Sequence, residues 1–247
     1  MQYRLTHFAF WLIFTIVYGL RIRGMRHVPK TGGVILASNH ASHFDPPVIA
    51  AACISRDLSF MAKEELFRFR PFGAFIGAYN AIPVKRGAFD RRALAFFTRW
   101  LREEGRVLLM FPEGTRTTDG SLGEAKRGVG ALCRFAKVPV VPVLVTGTYG
   151  IYPKGRLIPR LWGRIEVRFG PPVEWSDDEL AASGDPSGAL AARMMEEIRK
   201  LYDSDEPLLG VREGLKQVIR RFRPGRFDHT PPTDDKQPGE SSDAGTR

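Results

Sequence analysis

Two residues five positions apart, His40 and Asp45, carry the side chains of this sequence best suited to acid–base chemistry. They lie in residues 39–47 (NHASHFDPP), which follow an apolar run typical of a strand. Because Asp followed by Pro is typical of a helix start, we expect Asp45 to cap a helix and His40 to lie in the preceding loop. A carboxylate that holds one imidazole nitrogen fixes the tautomer and leaves the other nitrogen free as a base.

Two other interpretations of these residues stay open. Asp45 could cap the helix without touching His40, whose ring would then only bond a neighbouring backbone group. Metal binding by His40, His43 and Asp45 is less favoured, because no further His or Cys lies nearby to complete a ligand set. We therefore expect no metal at this site.

Residues 111–116 (FPEGTR) form a second segment, and its residue types suit the binding of phosphate. Gly114 allows an unusual backbone turn that exposes amides, and Arg116 has a planar guanidinium that matches phosphate. Glu113 is expected to orient Arg116 or to accept a hydrogen bond from a substrate hydroxyl. The alternative is an ordinary turn with a surface ion pair.

Further cations follow other apolar runs. Lys85 and Arg86 lie near the end of residues 82–87 (IPVKRG), and Lys126 and Arg127 precede a glycine. Each pair alone is typical of a solvated surface. If these segments end at one edge of a sheet, however, their cations converge into a phosphate site.

The elements around these segments alternate between strands and helices. Apolar runs predict strands at 33–38, 58–61, 81–84, 106–111, 140–145 and 165–169, and amphipathic stretches predict helices at 46–54, 90–104, 124–136 and 189–201. This alternation indicates an α/β fold with a central, mostly parallel sheet flanked by helices. We divide the chain into a membrane-anchoring helix (1–23), an α/β domain (24–204), a basic amphipathic helix (205–223) and a disordered tail (224–247).

The anchoring helix is predicted from residues 8–20 (FAFWLIFTIVYGL), which carry no charge. As a helix this run extends only about 20 Å, against roughly 30 Å for the hydrocarbon core of a bilayer. We expect it to be embedded in one leaflet, with the arginines that follow it at the cytoplasmic headgroups. A helix buried in the protein core is the alternative.

The formal net charge of +10 indicates a partner that carries phosphate. Nucleic-acid binding would need aromatic residues interleaved with Lys and Arg on a recognisable motif, and the sequence has none, so we expect no nucleic acid. Cys53 and Cys133 lie far apart in apolar runs. We expect both thiols to be buried and unpaired, as in a reducing compartment.

Together these segments resemble the glycerolipid acyltransferases, in particular the 1-acylglycerol-3-phosphate acyltransferases. The His-x4-Asp signature of that family matches His40 and Asp45, and its FPEGTR block is intact at 111–116. Residues 82–87 and 138–143 resemble two further blocks, and all four follow in the family's order. The resemblance covers about residues 24–173.

The resemblance implies transfer of a fatty acyl group from an acyl-CoA or acyl carrier protein thioester to the hydroxyl of a lysophospholipid. The acceptor it favours is 1-acyl-sn-glycerol 3-phosphate, which gives phosphatidic acid. No cofactor beyond the thioester donor is implied, and the partners are membrane lipids at the cytoplasmic face of the cell membrane. Alternatives are another lysolipid acceptor, a metal-dependent hydrolase and a non-catalytic membrane-binding protein.

The resemblance also assigns roles to individual residues. His40 would act as the general base and Asp45 would hold and polarise its ring. The phosphate of the acceptor would be bound by a set that spans three segments: Glu113, Gly114, Thr115, Arg116, Arg86 and Lys126.

Overall fold

The computed structural model describes residues 2–68, 70–78, 80–84 and 91–221. Its strands, in chain order, are β1 (Arg21–Arg23), β2 (Val34–Ser38), β3 (Leu58–Lys63), β4 (Ala81–Val84), β5 (Val107–Met110), β6 (Val140–Thr146) and β7 (Glu166–Phe169). The helices that precede the site segments or alternate with these strands are α1 (Gln2–Tyr18), α2 (Asp45–Ala52), α3 (Glu65–Arg68), α4 (Arg70–Ala78), α5 (Arg91–Glu103), α6 (Arg127–Ala136) and α7 (Thr148–Ile151). The chain ends with α8 (Asp177–Ala182), α9 (Pro186–Lys200) and α10 (Val211–Arg221).

The strands form one sheet in the order β1-β7-β6-β2-β5-β3-β4. Neighbouring strands pair in parallel except for β6 and β7, which are antiparallel. The predicted α/β class with a mostly parallel sheet is therefore confirmed, as are all six predicted strands. The three-residue strand β1 was not predicted, because so short a segment shows no periodicity.

Helices cover both faces of the sheet. Along β2, Val34 and Leu36 face one apolar cluster, which contains α1 and α2, while Ile35 and Ala37 face the other, which contains α5, α6 and α9. This two-residue alternation is the geometry of a strand that is buried on both sides. Both cysteines are buried as expected, and burial raises the pKa of the Cys133 thiol to about 12.

Helix α1 has one buried face and one exposed face. Trp11, Phe14 and Tyr18 are buried in the core at helical spacing, and the helix packs against α2. The opposite face exposes five large aliphatic side chains: Leu5, Leu12, Ile13, Ile16 and Val17. The inner face thus belongs to the core, and β1, inside the predicted anchor segment, is a strand of the sheet.

No helix among the described residues is both long and apolar enough to cross a bilayer. The amphipathic helix expected within 205–223 is present as α10, which is packed on the domain through the buried Val218. Its glycine, Gly214, lies close to the Trp11 ring of α1. The predicted disordered tail, 224–247, lies outside the described residues.

Candidate active site

Three neighbouring strands bring the main chemical groups together. β6, β2 and β5 are adjacent and parallel, so their carboxyl ends lie at the same edge of the sheet. The segment with His40 follows β2, the segment with Arg116 follows β5, and Thr148 follows β6. Open α/β sheets bind their ligands at this edge, because the loops there converge.

His40 and Asp45 form a direct hydrogen bond. The Nδ1 of His40 donates to Oδ2 of Asp45 over 2.9 Å. Nε2 lies on the other side of the ring, and no hydrogen-bond partner for it is found among the described residues. The His40 side chain is 17% exposed, whereas that of Asp45 is fully buried. The pair therefore has the geometry of an imidazole base held by a carboxylate.

Four donors surround the Asp45 carboxylate. Besides His40, the amides of Ala41 and Ser42 donate to Oδ2 over 2.6 and 2.7 Å. The Thr148 hydroxyl donates to Oδ1 over 2.7 Å. A buried carboxylate is costly unless its oxygens are hydrogen bonded, and these donors meet that requirement.

The prediction that Asp45 caps helix α2 is wrong. The N-cap residue is Phe44, and Asp45 is already in the first helical turn with no capping hydrogen bond at that end. Its carboxylate turns back to the preceding loop, because the two amides and the imidazole found there satisfy it. The interpretation in which Asp45 caps the helix and never touches His40 is wrong for the same reason.

Glu113 joins the loop that follows β5 to the loop that follows β2. It is 5% exposed, and its Oε1 accepts a hydrogen bond from the His40 amide over 3.0 Å. The Gly123 amide donates to the same carboxylate, and burial is the main cause that raises the pKa of Glu113. A second bond joins the loops, since the Thr117 amide donates to the His40 carbonyl over 2.8 Å. Glu113 therefore contacts backbone amides, and the predicted orientation of Arg116 by Glu113 is not observed, since Arg116 contacts His43. Its contact with a substrate hydroxyl stays a prediction.

Arg116 contacts His43 rather than Glu113. Its Nη1 donates to Nε2 of His43. Burial lowers the pKa of His43, as do the charges of Arg116 and His40, while Asp45 opposes them. A neutral imidazole is the form that accepts such a bond, and Arg116 keeps its other N–H groups for a ligand. Among the described residues, no three His, Cys, Asp or Glu side chains are grouped so that they could hold a metal ion.

The other residues of the predicted phosphate site are placed as follows. Gly114 has the left-handed backbone expected of the turn, with φ of 67°, and a Cβ there would come 3.2 Å from the Lys126 side chain. Thr115 and Lys126 are exposed beside it, and the Lys126 amide donates to the carbonyl of Pro112. Arg86 lies outside the described residues.

Several residues of this edge were not predicted as part of the site. The side chain of Asn39 makes a two-way bond with the backbone of Val145, over 3.0 and 2.8 Å, and so joins the ends of β2 and β6. The Tyr152 carbonyl accepts bonds from the Ser42 hydroxyl and the His43 amide. For Thr148 a signal existed, because Gly147 and Thr148 follow the predicted strand 140–145 after one intervening residue.

The aromatic ring of Phe111 also restricts the orientation of the His40 imidazole. It is stacked on the His40 imidazole, with 3.9 Å between ring centroids and 16° between planes. His40 is thus fixed by a stacked ring and by bonds to Nδ1 and both backbone groups. A fixed base with one open nitrogen next to an arginine can deprotonate a hydroxyl on a molecule whose phosphate the arginine holds.

A comparison with protein families matches residues 19–146 to the acyltransferase model. The 1-acyl-sn-glycerol-3-phosphate acyltransferase of Streptococcus pneumoniae strain R6 is 35% identical over 143 residues, which are 58% of this chain and 51% of that protein. The protein of the same name from Bacillus subtilis is 23% identical over 210 residues, 84% of this chain and 100% of that one. The chain thus spans about half the length of the pneumococcal relative.

The fold also has a counterpart among solved structures. The crystal structure of the 1-acyl-sn-glycerophosphate acyltransferase from Thermotoga maritima superposes with a TM-score of 0.62. The match covers 83% of this chain and 80% of that one, at 24% sequence identity. At this identity the similarity concerns the fold.

Proposed function

Because the chain belongs to the acyltransferase family, we propose that it transfers a fatty acyl group from a thioester to the free hydroxyl of a lysophospholipid. The acceptor we propose is 1-acyl-sn-glycerol 3-phosphate, and the product is phosphatidic acid. The names of the pneumococcal and Bacillus relatives support this choice. The donor is an acyl-CoA or an acyl carrier protein thioester.

The observation that carries the proposal is the His40–Asp45 pair, with Nδ1 bonded to a buried carboxylate and Nε2 open. In the proposed reaction Nε2 takes the proton of the acceptor hydroxyl, and the oxygen attacks the thioester carbonyl. The resulting tetrahedral intermediate collapses, the carbon–sulfur bond breaks, and the thiolate takes the proton back from Nε2. Asp45 keeps the imidazole in the required tautomer and stabilises its charged form.

The acceptor phosphate is the natural ligand of Arg116. Its guanidinium contacts His43, which lies in the same loop as His40, and it offers a planar pair of donors. We assign Gly114, Thr115 and Lys126 to the same phosphate site because Gly114 and Thr115 directly precede Arg116 and the Lys126 side chain lies against Gly114. Glu113 is better suited to positioning, since a carboxylate repels phosphate and this one already holds the His40 amide.

We also propose that the protein lies on the cytoplasmic face of the membrane with the outer face of α1 in the lipid. Five aliphatic side chains exposed on one helix face are costly in water and favourable in a bilayer. Arg21 follows the helix, is exposed and would meet anionic headgroups, whereas Arg23 and Arg26 are paired with Glu166 and Glu206.

The test is an acyl-transfer assay on purified protein in detergent, with both donor types and a panel of lysolipids. We expect His40→Ala to lower kcat by roughly 10²–10⁴-fold, because the other imidazole of this loop, that of His43, has its Nε2 occupied by Arg116. Asp45→Asn should also lose activity, since the amide cannot hold the imidazolium as the carboxylate does.

His27 provides the matched control. It is also paired with a carboxylate, that of Glu206 over 2.9 Å, but lies away from the carboxyl-end loops. His27→Ala should retain wild-type turnover. A His40→Ala protein that turned over near the wild-type rate would refute the mechanism, and transfer lost on addition of a chelator would point to a metal-dependent reaction instead.

A further inference from the structure

The loop between α7 and β7 exposes large apolar side chains that the proposed reaction does not use. Residues 153–164 (PKGRLIPRLWGR), which we call the 153–164 loop, contain Leu157 at 90% exposure, Ile158 at 74%, Leu161 at 72% and Trp162 at 73%. No other segment among the described residues concentrates so much exposed apolar surface outside α1. A patch of this kind usually marks a binding surface.

The backbone of the loop is fixed although its side chains are exposed. The Tyr18 hydroxyl donates to the Arg160 carbonyl over 2.9 Å, and the Arg160 amide donates to the Ile151 carbonyl over 3.1 Å. The Arg156 guanidinium donates to the Ile158 carbonyl over 2.8 Å. These hydrogen bonds fix the backbone of the loop while its apolar side chains point outward. Binding therefore costs little conformational entropy of the loop backbone.

The charges of the loop indicate what it binds. Four cations, Lys154, Arg156, Arg160 and Arg164, alternate with the apolar residues, and the segment contains no Asp or Glu. Cations around protruding Leu, Ile and Trp side chains fit an anionic lipid surface. Headgroups meet the charges there, the acyl region takes up the aliphatic groups, and Trp favours the boundary.

The loop is also continuous with two parts of the protein already described. Tyr18 joins it to the end of α1, next to the exposed Ile16 and Val17. On its other side Tyr152 packs against His43, with ring centroids 4.9 Å apart, and His43 contacts Arg116. A surface that holds this loop would therefore lie beside the phosphate site.

We propose that the 153–164 loop inserts its apolar side chains into the surface of an anionic bilayer and holds the site edge against the lipid. It is a second membrane contact, in addition to the outer face of α1, and it places Arg116 and His43 at the level of the lipid headgroups. The inference rests on the proposed function in assuming a membrane substrate, but it does not depend on acyl transfer itself.

The test compares two variants of the full chain for flotation with vesicles of phosphatidylcholine and phosphatidylglycerol. L157S/W162S should partition at least tenfold more weakly than the wild type, since burial of one large apolar side chain changes partitioning on the order of tenfold. The matched control is Phe135→Ser on α6, which removes a 54% exposed aromatic side chain at the opposite edge of the sheet. It should float like the wild type.

A second measurement uses the unaltered loop and so does not depend on how the double variant folds. Lipids brominated along the acyl chain should quench the fluorescence of the wild type more than that of Trp162→Phe, and the difference reports Trp162 alone. The other three tryptophans, the buried Trp11 and Trp100 and the partly buried Trp175, are present in both proteins and serve as the constant background.

The outcomes separate this inference from the proposed function. If L157S/W162S floats as well as the wild type and Trp162 is not quenched, the loop does not enter the membrane and the inference is overturned, whatever the activity. If the loop binds vesicles but no acyl transfer occurs, the inference holds and the proposed function fails. Binding to an acidic protein with no binding to vesicles would also overturn it.

Discussion

At the scale of single residues, the candidate site depends on how a buried carboxylate is satisfied. Asp45 accepts four hydrogen bonds, and the donors come from the loop it closes and from Thr148 on a different strand. Arg116, by contrast, contacts a neutral imidazole, and no further partner of its N–H groups is found among the described residues. The first arrangement fixes the orientation of the His40 imidazole, and the second leaves a cation available to a ligand.

Arg116→Lys tests the assignment of the phosphate. Because an ammonium cannot reproduce the planar pair of donors, we expect the KM for the acceptor to rise about ten- to a hundredfold while the KM for the acyl donor changes little. Steady-state kinetics with each substrate varied in turn measures this. Arg193→Lys, on α9, is the control and should change neither value.

Equal effects of Arg116→Lys on both substrates would indicate that Arg116 only supports the loop. A further result against the assignment would be a monoacylglycerol without phosphate that serves as well as its phosphorylated form.

Glu113 gives a prediction about pH. Burial raises its pKa in the folded protein, so its contribution to stability is full below its unfolded pKa of about 4.3 and is lost as the pH rises through the folded value. Glu113→Gln cannot ionise, yet its carbonyl still accepts from the His40 amide. We therefore expect the stability of the variant relative to wild type to improve as the pH rises from acid to neutral, measured by urea unfolding. A difference that does not change with pH would show that the pKa of Glu113 is not raised.

At the scale of elements, α1 performs two tasks on opposite faces. Phe14 and Tyr18 extend the core, and their rings pack against Phe44, next to Asp45. Among residues 5–18, whose burial is described, the large exposed side chains of the outer face are all aliphatic. Deletion of the helix would therefore remove part of the core together with any anchor, and the two faces have to be tested separately.

Substitutions on the two faces of α1 should separate stability from attachment. I16S/V17S should reduce flotation with vesicles at high salt and leave the free energy of unfolding nearly unchanged. Phe14→Ala should lower that free energy by about 3–5 kcal/mol, because it leaves a cavity at a fully buried position. Flotation and urea unfolding measure the two effects, and an I16S/V17S protein that floats like the wild type would refute the proposed anchor.

At the scale of the whole molecule, the cations on different helices differ in how many of them form ion pairs with carboxylates. Arg193, Arg199 and Lys200 on α9 each form an ion pair with a nearby glutamate. On α10, Lys216 lies 3.9 Å from Glu213, whereas Arg212 and Arg220 are exposed and no carboxylate partner for them is found among the described residues. This helix packs beside α1 through Gly214. The net charge of +10 therefore favours attachment of the α1 and α10 side to an anionic surface.

The attachment through α10 should be sensitive to salt. R212Q/K216Q/R220Q should weaken binding to anionic vesicles at low salt by on the order of fivefold per cation, and the difference from wild type should vanish at high salt. R193Q/R199Q/K200Q makes the same change in net charge on α9, on the opposite face of the sheet. If both triple variants lose binding equally, net charge and not the position of α10 controls attachment.

The sequence by itself determined the features that depend on short separations. His40 and Asp45 are five residues apart in one loop, so a contact between them needs only a tight turn, and the structure contains it. The six predicted strands followed from local apolar runs that the buried sheet requires. The sequence also predicted where β2 ends, but it did not predict that Phe44 is the N-cap residue of α2. The Asp45 carboxylate turns back to the preceding loop because the His40 ring and the amides of Ala41 and Ser42 donate to it there. The Asp-Pro pattern that predicts a helix start contains no information about these donors.

Only the tertiary structure decided which distant groups meet. Thr148 is 103 residues from Asp45, and Glu113 is 73 residues from His40, so these contacts follow from the strand order β6-β2-β5, which no local pattern reveals. The same holds for exposure. The apolar residues of α1 and of the 153–164 loop do not differ in type from core residues, and whether another element covers them is settled by packing over long separations in sequence.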